Sequence, residues 1–575
     1  MSGTHTLPLQ RPRHGELATA TVGIPLAPSP AVPATWFRSR RQSPTVAPPL
    51  RDELLDLGRL QEHARALAAR FAVDPRPLSR PRILARLDDN ARALGEAYRL
   101  LASDVHARHF VAPAGEWMLD NYHLVQAVIR SLRANLPRKY YAQLPALTQP
   151  EHAGQARVYA MALELVRHSD SRLDRQQLVA FLTSVQTVAP LTIGELWAWP
   201  SMLTLALVEN LRRLADEVIA VRHARQAADR YISALEDGAA YTPPTWPAES
   251  HTPYVVQLLH RIREQGPRLA PVQAAIDAHL AASATDSDDI VREDHQRQAT
   301  AQVLIANVIT SLRMGAALDW GLLFEAVSVV EQVLRRDPAG AYAHMDFASR
   351  DRQRRAVEEI AQPDGDAQVR VALRAVESAQ QAHATGFERG THVGYHLVGR
   401  GRRRLEADVA YRPSLVERVR RAGRRHPTVC YLGGASLITA ALLVAADRYL
   451  ATSGGPLWLR LFAAVFLVVP FSELTLALVN RVVSAVVAPE RLPRLEFTGG
   501  VPESARTMVI VPTLLTSVAG VQALLEQLEV AALGNLDAHV HFAILSDLVD
   551  ADAQQLPGDA AIIGAAVHGL SLIHI

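Results

Sequence analysis

The chain has 575 residues, a length that suggests three to four domains. Of these residues 49 % are hydrophobic and 21 % charged, so the chain can bury several cores. Its formal net charge is only +2, which gives no general basis for nucleic-acid binding, and we expect no nucleic-acid partner. The single cysteine, Cys430, excludes a disulfide framework and a zinc site made of thiolates.

The first 49 residues are dense in Pro, Ser, Thr and Arg and contain no apolar segment of the kind found in a secretory signal. This composition predicts a disordered, Pro-rich tail over residues 1–49.

Apolar residues recur at helical spacing from Leu50 to about residue 410, while strand signals are nearly absent before residue 500. A stretch rich in Pro and Thr, Ala240–Ser250, suggests a boundary. We therefore predict one helical domain over 50–239 and another over 251–410. The longest helical pattern covers Thr192–Glu236, and Pro200 is expected to kink or divide it.

Two apolar runs then follow, joined by a short polar turn. Thr428–Ala446 carries no charge over 19 residues, which as a helix spans ~28 Å, close to the thickness of a bilayer's hydrocarbon core. Leu461–Asn480 is interrupted only by Glu473. The pattern predicts a transmembrane helical hairpin over 428–487 with the lipid bilayer as a partner. The alternative is a pair of core helices buried in a large soluble protein.

Arginines flank the predicted hairpin unequally. The turn holds only two, whereas the flanking segments contain Arg418, Arg420, Arg421, Arg424 and Arg425 before it and Arg481, Arg491 and Arg494 after it. The positive-inside rule predicts that both flanks, and so the helical region and everything after the hairpin, lie in the cytoplasm.

The residues after the hairpin change to an α/β pattern. Thr507–Val511 is a β-type run that Pro512 is expected to stop, Val518–Leu533 is an amphipathic helix, and Val540–Leu545 is a second β-type run. Strand, helix and strand predict a parallel βαβ unit. Ligands bind at the carboxyl ends of such strands, where Pro512, Thr513 and Asp547 should be neighbours. Asp547 either accepts hydrogen bonds from a ribose or nucleobase there or only caps a loop.

Two further groups of residues look structural. His392 and His396 have the spacing of metal ligands on a helix, but no third ligand is evident, which favours a solvated or core pair. Gly386, Gly390 and Gly394 recur every four residues and favour close helix packing over phosphate binding. The sequence therefore predicts no metal site.

Several segments, in the same order along the chain, resemble cyclic β-1,2-glucan synthases. The helical region contributes EWMLDNYHL, LTIGELWAWP and HVGYHLVGRGR, and the α/β part contributes LPRLEFTGG, HFAILSDLVDA and LPGD. The resemblance covers roughly Leu50 to Asp559. Residues 498–575 resemble the opening of the family's glycosyltransferase domain, a family 84 module with a GT-A-like fold.

The resemblance implies a mainly α protein of the bacterial inner membrane, multi-pass, whose helical region and glycosyltransferase part are cytoplasmic. It implies UDP-glucose as the donor substrate and a growing β-1,2-glucan as the product. Asp547 would contact the uridine, and Pro512 and Thr513 would line the nucleotide.

The family's catalytic base and metal-binding Asp-x-Asp are expected further along than this chain extends, so we expect no catalytic residues in it. The closing GLSLIHI does not continue the family pattern and suggests a truncation. A divalent metal, Mg²⁺ or Mn²⁺, is expected only in a full-length enzyme, and this fragment is expected to be inactive alone. The alternative function is a non-enzymatic, membrane-anchored helical scaffold that binds a cytoplasmic partner.

Overall fold

The computed structural model describes residues 47–74, 83–136, 138–247, 251–265, 269–283, 285–361, 364–487 and 492–573. Nearly all of the predicted tail over 1–49 lies outside these residues.

The described part of the chain before the hairpin is helical, with one two-residue strand pair. Its first half contains α1 (Leu57–Arg70), β1 (Val73–Asp74), α2 (Ile83–His106), α3 (Pro113–Asp120), α4 (Tyr122–Asn135), α5 (Arg138–Tyr141), β2 (Ala146–Leu147), α6 (Arg157–Arg167), α7 (Arg175–Gln186) and α8 (Ile193–Glu236). Its second half contains α9 (His251–Gln265), α10 (Ala270–Ala282), α11 (Ser287–Ala317), α12 (Trp320–Val327), α13 (Val329–Leu334), α14 (Phe347–Ile360), α15 (Gly365–Ala384), α16 (Val393–Leu397), α17 (Arg402–Asp408) and α18 (Leu415–Arg425). The predicted mainly α fold is confirmed.

Helix α8 is the element around which the helical region packs. It begins with a capping box, in which Thr192 Oγ1 accepts from the Glu195 amide at 3.0 Å and Glu195 Oε2 accepts from the Thr192 amide at 2.9 Å. Arg157 then binds the fully buried Glu195 carboxylate through two hydrogen bonds of 2.6 and 2.8 Å. Of the two expected effects of Pro200, division of the helix is wrong, because α8 is continuous for 44 residues, and the kink stays a prediction. Buried side chains on both sides of Pro200 hold the chain helical there.

Two apolar cores lie along α8. The larger one joins residues of the two predicted helical domains, from Leu50 to Leu405. The smaller one packs the C-terminal half of α8, from Ala224 to Ile232, against α9, α10 and the start of α11. The stretch Ala240–Ser250 therefore connects two elements of the smaller core, and the division of the helical region at that stretch stays a prediction.

The hairpin consists of α19 (Pro427–Thr452) and α20 (Leu457–Val486), both long and apolar enough to cross a membrane. Their side chains are almost entirely exposed, as membrane-spanning helices require outside a bilayer. Gly454 turns the chain with φ +76°, and Arg460 closes the turn through two hydrogen bonds of 2.7 and 2.8 Å to Asp447. The predicted alternative of buried core helices does not fit this exposure.

An α/β unit follows, formed by β3 (Thr507–Leu515), α21 (Val518–Leu533), β4 (Val540–Leu548) and α22 (Asp559–Ile573). The two strands pair in parallel, with Thr507 opposite Val540 and Leu515 opposite Leu548. Both helices lie on one face of the pair, around a small core of Leu515, Val521 and Ala566. The predicted strand–helix–strand order is present.

Both strands are longer than predicted, and Pro512 does not stop β3. The Thr507 amide donates to the His539 carbonyl at 2.9 Å, so alternate residues after Thr507 direct their amides toward β4. Pro512 is out of phase with these residues, and its missing N–H would have pointed to the free edge of β3. Proline is tolerated at such an edge position.

Candidate functional site

A short segment couples the α/β unit to the helical region. We call residues 492–497, between the hairpin and the α/β unit, the tether. Leu495 forms a β-bridge with Met345, and Arg494 accepts from the Asp346 amide at 2.9 Å and donates its own amide to Ser349 Oγ at 2.9 Å. The Glu496 amide donates to the His344 carbonyl at 2.7 Å. Residues on both sides of the hairpin in sequence therefore meet at one surface.

A buried cluster of charged side chains lies beside the residues that the tether contacts. Glu331 and Arg354, both with fully buried side chains, are paired at 2.9 Å, and the Tyr342 hydroxyl donates to Glu331 at 2.6 Å. Arg350 binds Glu325 and also donates to the carbonyls of residues 343 and 345, at the tether's docking surface. We call Glu325, Glu331, Tyr342, Arg350 and Arg354 the charge cluster.

The charge cluster keeps the Glu331 carboxylate ionised. Burial alone would raise the pKa of Glu331, but the hydrogen bond from Tyr342 and the guanidinium groups of Arg335 and Arg354 outweigh it and hold the pKa below its ordinary value. The cluster thus fixes the backbone of residues 342–349 by charge-assisted hydrogen bonds, which are stronger than neutral ones.

The three predicted nucleotide-binding residues lie near the carboxyl end of the strand pair, but on different faces. Strand register places Thr513 opposite Ser546 and Leu514 opposite Asp547. Because side chains alternate along a strand, Thr513 shares the helix-covered face with Leu515, whereas Pro512 and Asp547 share the other face. Thr513 is half-buried, and Pro512 and Asp547 are exposed.

The face that carries Pro512 and Asp547 is open and apolar. Its large side chains are mostly exposed: Met508, Ile510, Leu514 and Leu545 each have between 53 and 64 % of their surface accessible. Asp547 Oδ1 accepts from the Leu548 amide at 2.9 Å, which is the local capping role considered for it above.

Two polar features at this edge, the cap of α21 and an acid pair after β4, were not predicted as site residues from the sequence. Ser517 caps α21 by accepting from the Gly520 amide at 3.1 Å, so the first free amides of that helix follow β3 directly. Asp550 and Asp552, exposed just after β4, have the Asp-x-Asp spacing that was expected only further along. The sequence signal for the cap is a Ser/Thr before a helical run. The signal for the acid pair is two acids that follow a strand.

The other sequence candidates have structural roles. His392 Nδ1 contacts the Asp337 carboxylate at 2.7 Å, and His396 Nε2 donates to the Gly390 carbonyl at 2.9 Å, in agreement with a core pair. A Cβ at Gly390 would lie 2.4 Å from the Phe387 ring, so this glycine is required for close packing.

A hairpin of two membrane-length helices, followed by a parallel strand pair with helices on one face, defines a membrane-associated protein with an α/β unit. No protein-family model matches the chain. Cyclic beta-(1,2)-glucan synthase NdvB of Rhizobium meliloti (strain 1021) is 31 % identical to it over 491 residues. That alignment covers 83 % of this chain and 17 % of the synthase. The chain is a relative of this synthase and spans about a sixth of its length.

Proposed function

We propose that this chain is part of a membrane-bound glucosyltransferase that uses UDP-glucose to synthesise cyclic β-1,2-glucan. The observation that carries the proposal is the similarity to a cyclic glucan synthase over 83 % of the chain. Taken alone, this chain is proposed to be inactive, because the acid pair and base that complete such a site are proposed to lie in a further part of the domain.

The tether supports a cytoplasmic location for both flanks of the hairpin. Arg494 follows the hairpin and hydrogen-bonds with Asp346 and Ser349, which precede it. Two membrane passes return the chain to its starting side, so these contacts fit a hairpin that crosses the bilayer twice. The arginines of α18 support the cytoplasm as that side, by the positive-inside rule, and sugar nucleotides are found there.

In this proposal Asp547 accepts hydrogen bonds from the uridine, and Pro512 lies beside it on the open face. Thr513 faces the helices, so it lines the nucleotide through its backbone rather than its hydroxyl. The amides at the start of α21 attract the diphosphate, because a helix N-terminus favours negative charge. A divalent metal, Mg²⁺ or Mn²⁺, belongs to the complete domain.

The nucleotide site is tested with the 575-residue chain in detergent micelles, by titrating UDP and measuring its affinity. Asp547→Asn should weaken binding roughly tenfold or more, since a hydrogen bond to a charged group contributes about 1.5–3 kcal/mol. Glu503→Gln is the matched control, because Glu503 is an exposed acid that precedes β3, at the opposite end of the strands. Absence of UDP binding to the unchanged chain, or equal losses in both variants, would contradict the proposed site.

Orientation and activity are tested separately. Cysteines introduced at Asp550 and at Ser453, in a Cys430→Ser background, should react from opposite sides of inverted membrane vesicles. Labelling of both from one side would refute the hairpin. Glucosyl transfer from UDP-glucose by the purified chain would refute its proposed inactivity.

A further inference from the structure

Three side chains of types that bind metal ions, one from α1 and two from the end of α6, lie close together. Their ligand atoms, on His63 of α1, Glu164 of α6 and His168 at the end of α6, all lie within 4.8 Å of one another. The Nε2 atoms of His63 and His168 lie 3.3 and 3.8 Å from the same oxygen, Oε2 of Glu164. In a tetrahedral zinc site with bonds of about 2.1 Å, neighbouring ligand atoms are about 3.4 Å apart.

Neighbouring groups orient His168 and Glu164 so that one atom of each can bind a cation. His168 Nδ1 lies 2.9 Å from the Glu53 carbonyl, which can only accept, so that nitrogen carries the proton and leaves Nε2 free to bind. Arg167 binds Glu164 through the other oxygen, Oε1, at 2.9 Å, which leaves Oε2 turned toward the two imidazoles. His168 and Glu164 are thus each oriented by a group that does not block the ligand atom.

Burial and access also suit a bound ion. The side chains of Glu164 and His168 are only 9 and 12 % exposed, while His63 is 26 % exposed and provides an entry path. Burial opposes ionisation of Glu164, but the hydrogen bond with His63 and the charge of Arg167 hold its pKa below the usual range. The carboxylate is therefore ionised at neutral pH.

We propose that His63, Glu164 and His168 form a zinc site with a fourth position open to water. Two imidazole nitrogens and one carboxylate favour zinc over Mg²⁺ or Ca²⁺, which prefer oxygen ligands. Because zinc binds imidazole and carboxylate in their deprotonated forms, protons compete with it for these ligands, and affinity falls as the pH is lowered.

The site has a structural consequence. The segment before α1 runs along the end of α6, where the Asp52 amide donates to the Arg167 carbonyl and the Leu55 amide to the His168 carbonyl, both at 3.1 Å. Zinc bound by His63 and His168 joins α1 to α6 across that same contact. It therefore stabilises the N-terminal part of the helical region.

The test uses the full chain in detergent micelles, stripped with a chelator and titrated with ZnCl₂. We expect about one zinc per chain and a rise in Tm. His63→Ala and His168→Ala should each weaken binding at least about 100-fold, because loss of a direct ligand exceeds the effect of losing an outer-shell partner. His260→Ala is the control, since His260 is an exposed histidine with 67 % of its side chain accessible.

Zinc binding that is unchanged in His63→Ala would reveal only adventitious sites and overturn the proposal, as would failure of the unchanged chain to bind zinc. If either variant does not fold, the visible absorption of Co²⁺ added to the unchanged chain tests the site instead. Intense visible absorption bands, typical of four-coordinate Co²⁺, would support the site, and only the faint bands of hydrated Co²⁺ would refute it.

Discussion

Replacing Arg354 with methionine is the sharpest test of the charge cluster beneath the tether. Arg354 is fully buried, pairs with Glu331 Oε2 at 2.9 Å and Glu325 Oε1 at 3.3 Å, and lies 5.0 and 4.8 Å from the ring centres of Phe324 and Phe347. Methionine fills much of the same volume but removes the charge. The substitution therefore isolates the electrostatic contribution of this side chain.

The expected loss of stability is about 3–5 kcal/mol, the usual effect of removing one partner of a buried ion pair. Two facts favour the lower end of that range. Glu331 keeps the Tyr342 hydroxyl at 2.6 Å and Arg335 at 2.8 Å, and Arg354 Nε has no hydrogen-bond partner among the described residues. In thermal unfolding of the detergent-solubilised chain, we expect Tm to fall by on the order of 5 °C.

The matched control is Arg355→Met. Arg355 is the next residue on α14, is 72 % exposed and contacts only the Asp351 carboxylate among the ion pairs described. A surface pair of this kind contributes about 0–1 kcal/mol, so the control should unfold almost as the unchanged chain does. Equal losses for the two variants would show that the reasoning about burial is wrong.

The pH dependence gives a second check. In the unchanged chain the depressed pKa of Glu331 contributes stability above its ordinary value of 4.5, and this is lost as the pH falls through the folded pKa. Without Arg354 the Glu331 carboxyl protonates more readily. The difference in Tm between the two chains should therefore be largest at neutral pH and shrink below about pH 4.5.

Two further predictions concern the tether and the smaller core. Ser349→Ala removes the acceptor of the Arg494 amide and should raise hydrogen exchange of that amide about fivefold, for a loss of about 1 kcal/mol; unchanged exchange would mean that the contact is not populated. Burial and the nearby imidazole of His279 lower the pKa of His251, and only Glu293 opposes them. A lowered histidine pKa preserves stability above pH 6.5, and that stability is lost as the pH falls below it. The opening equilibrium of α9 and α10, obtained from hydrogen exchange after correction for the pH dependence of the intrinsic rate, should therefore rise as the pH falls from about 7.5 to 5.5. His279→Gln should flatten that rise, and an equally steep rise in this variant would contradict the assignment.

The features that the sequence predicted best are those set by local composition. The uncharged run at Thr428–Ala446 needs no tertiary partner to be recognised, and it lies within the first helix of the hairpin. The βαβ unit was likewise evident from the change from helical to strand-type residues after residue 500.

The features that the sequence did not reveal depend on where backbone and side-chain groups point and on contacts between residues far apart in sequence. Pro512 was expected to end a strand because the direction of its missing N–H is invisible until the strand has a partner. The opposite faces of Thr513 and Asp547 follow from register, which two separate strands do not specify by themselves. His63 and Glu164 are 101 residues apart, so only Glu164 and His168, four apart at the end of α6, offered a local signal.

Chain length ties the hairpin, the tether and the strand pair together. Helix α20 ends at Val486, and Leu495 is bound to Met345 nine residues later, so the docking surface lies within roughly 30 Å of the end of the hairpin. Twelve residues then lead from Leu495 to Thr507, which limits the start of β3 to about 40 Å from that surface. The tether therefore divides one long connection into two short ones, each anchored at a fixed point.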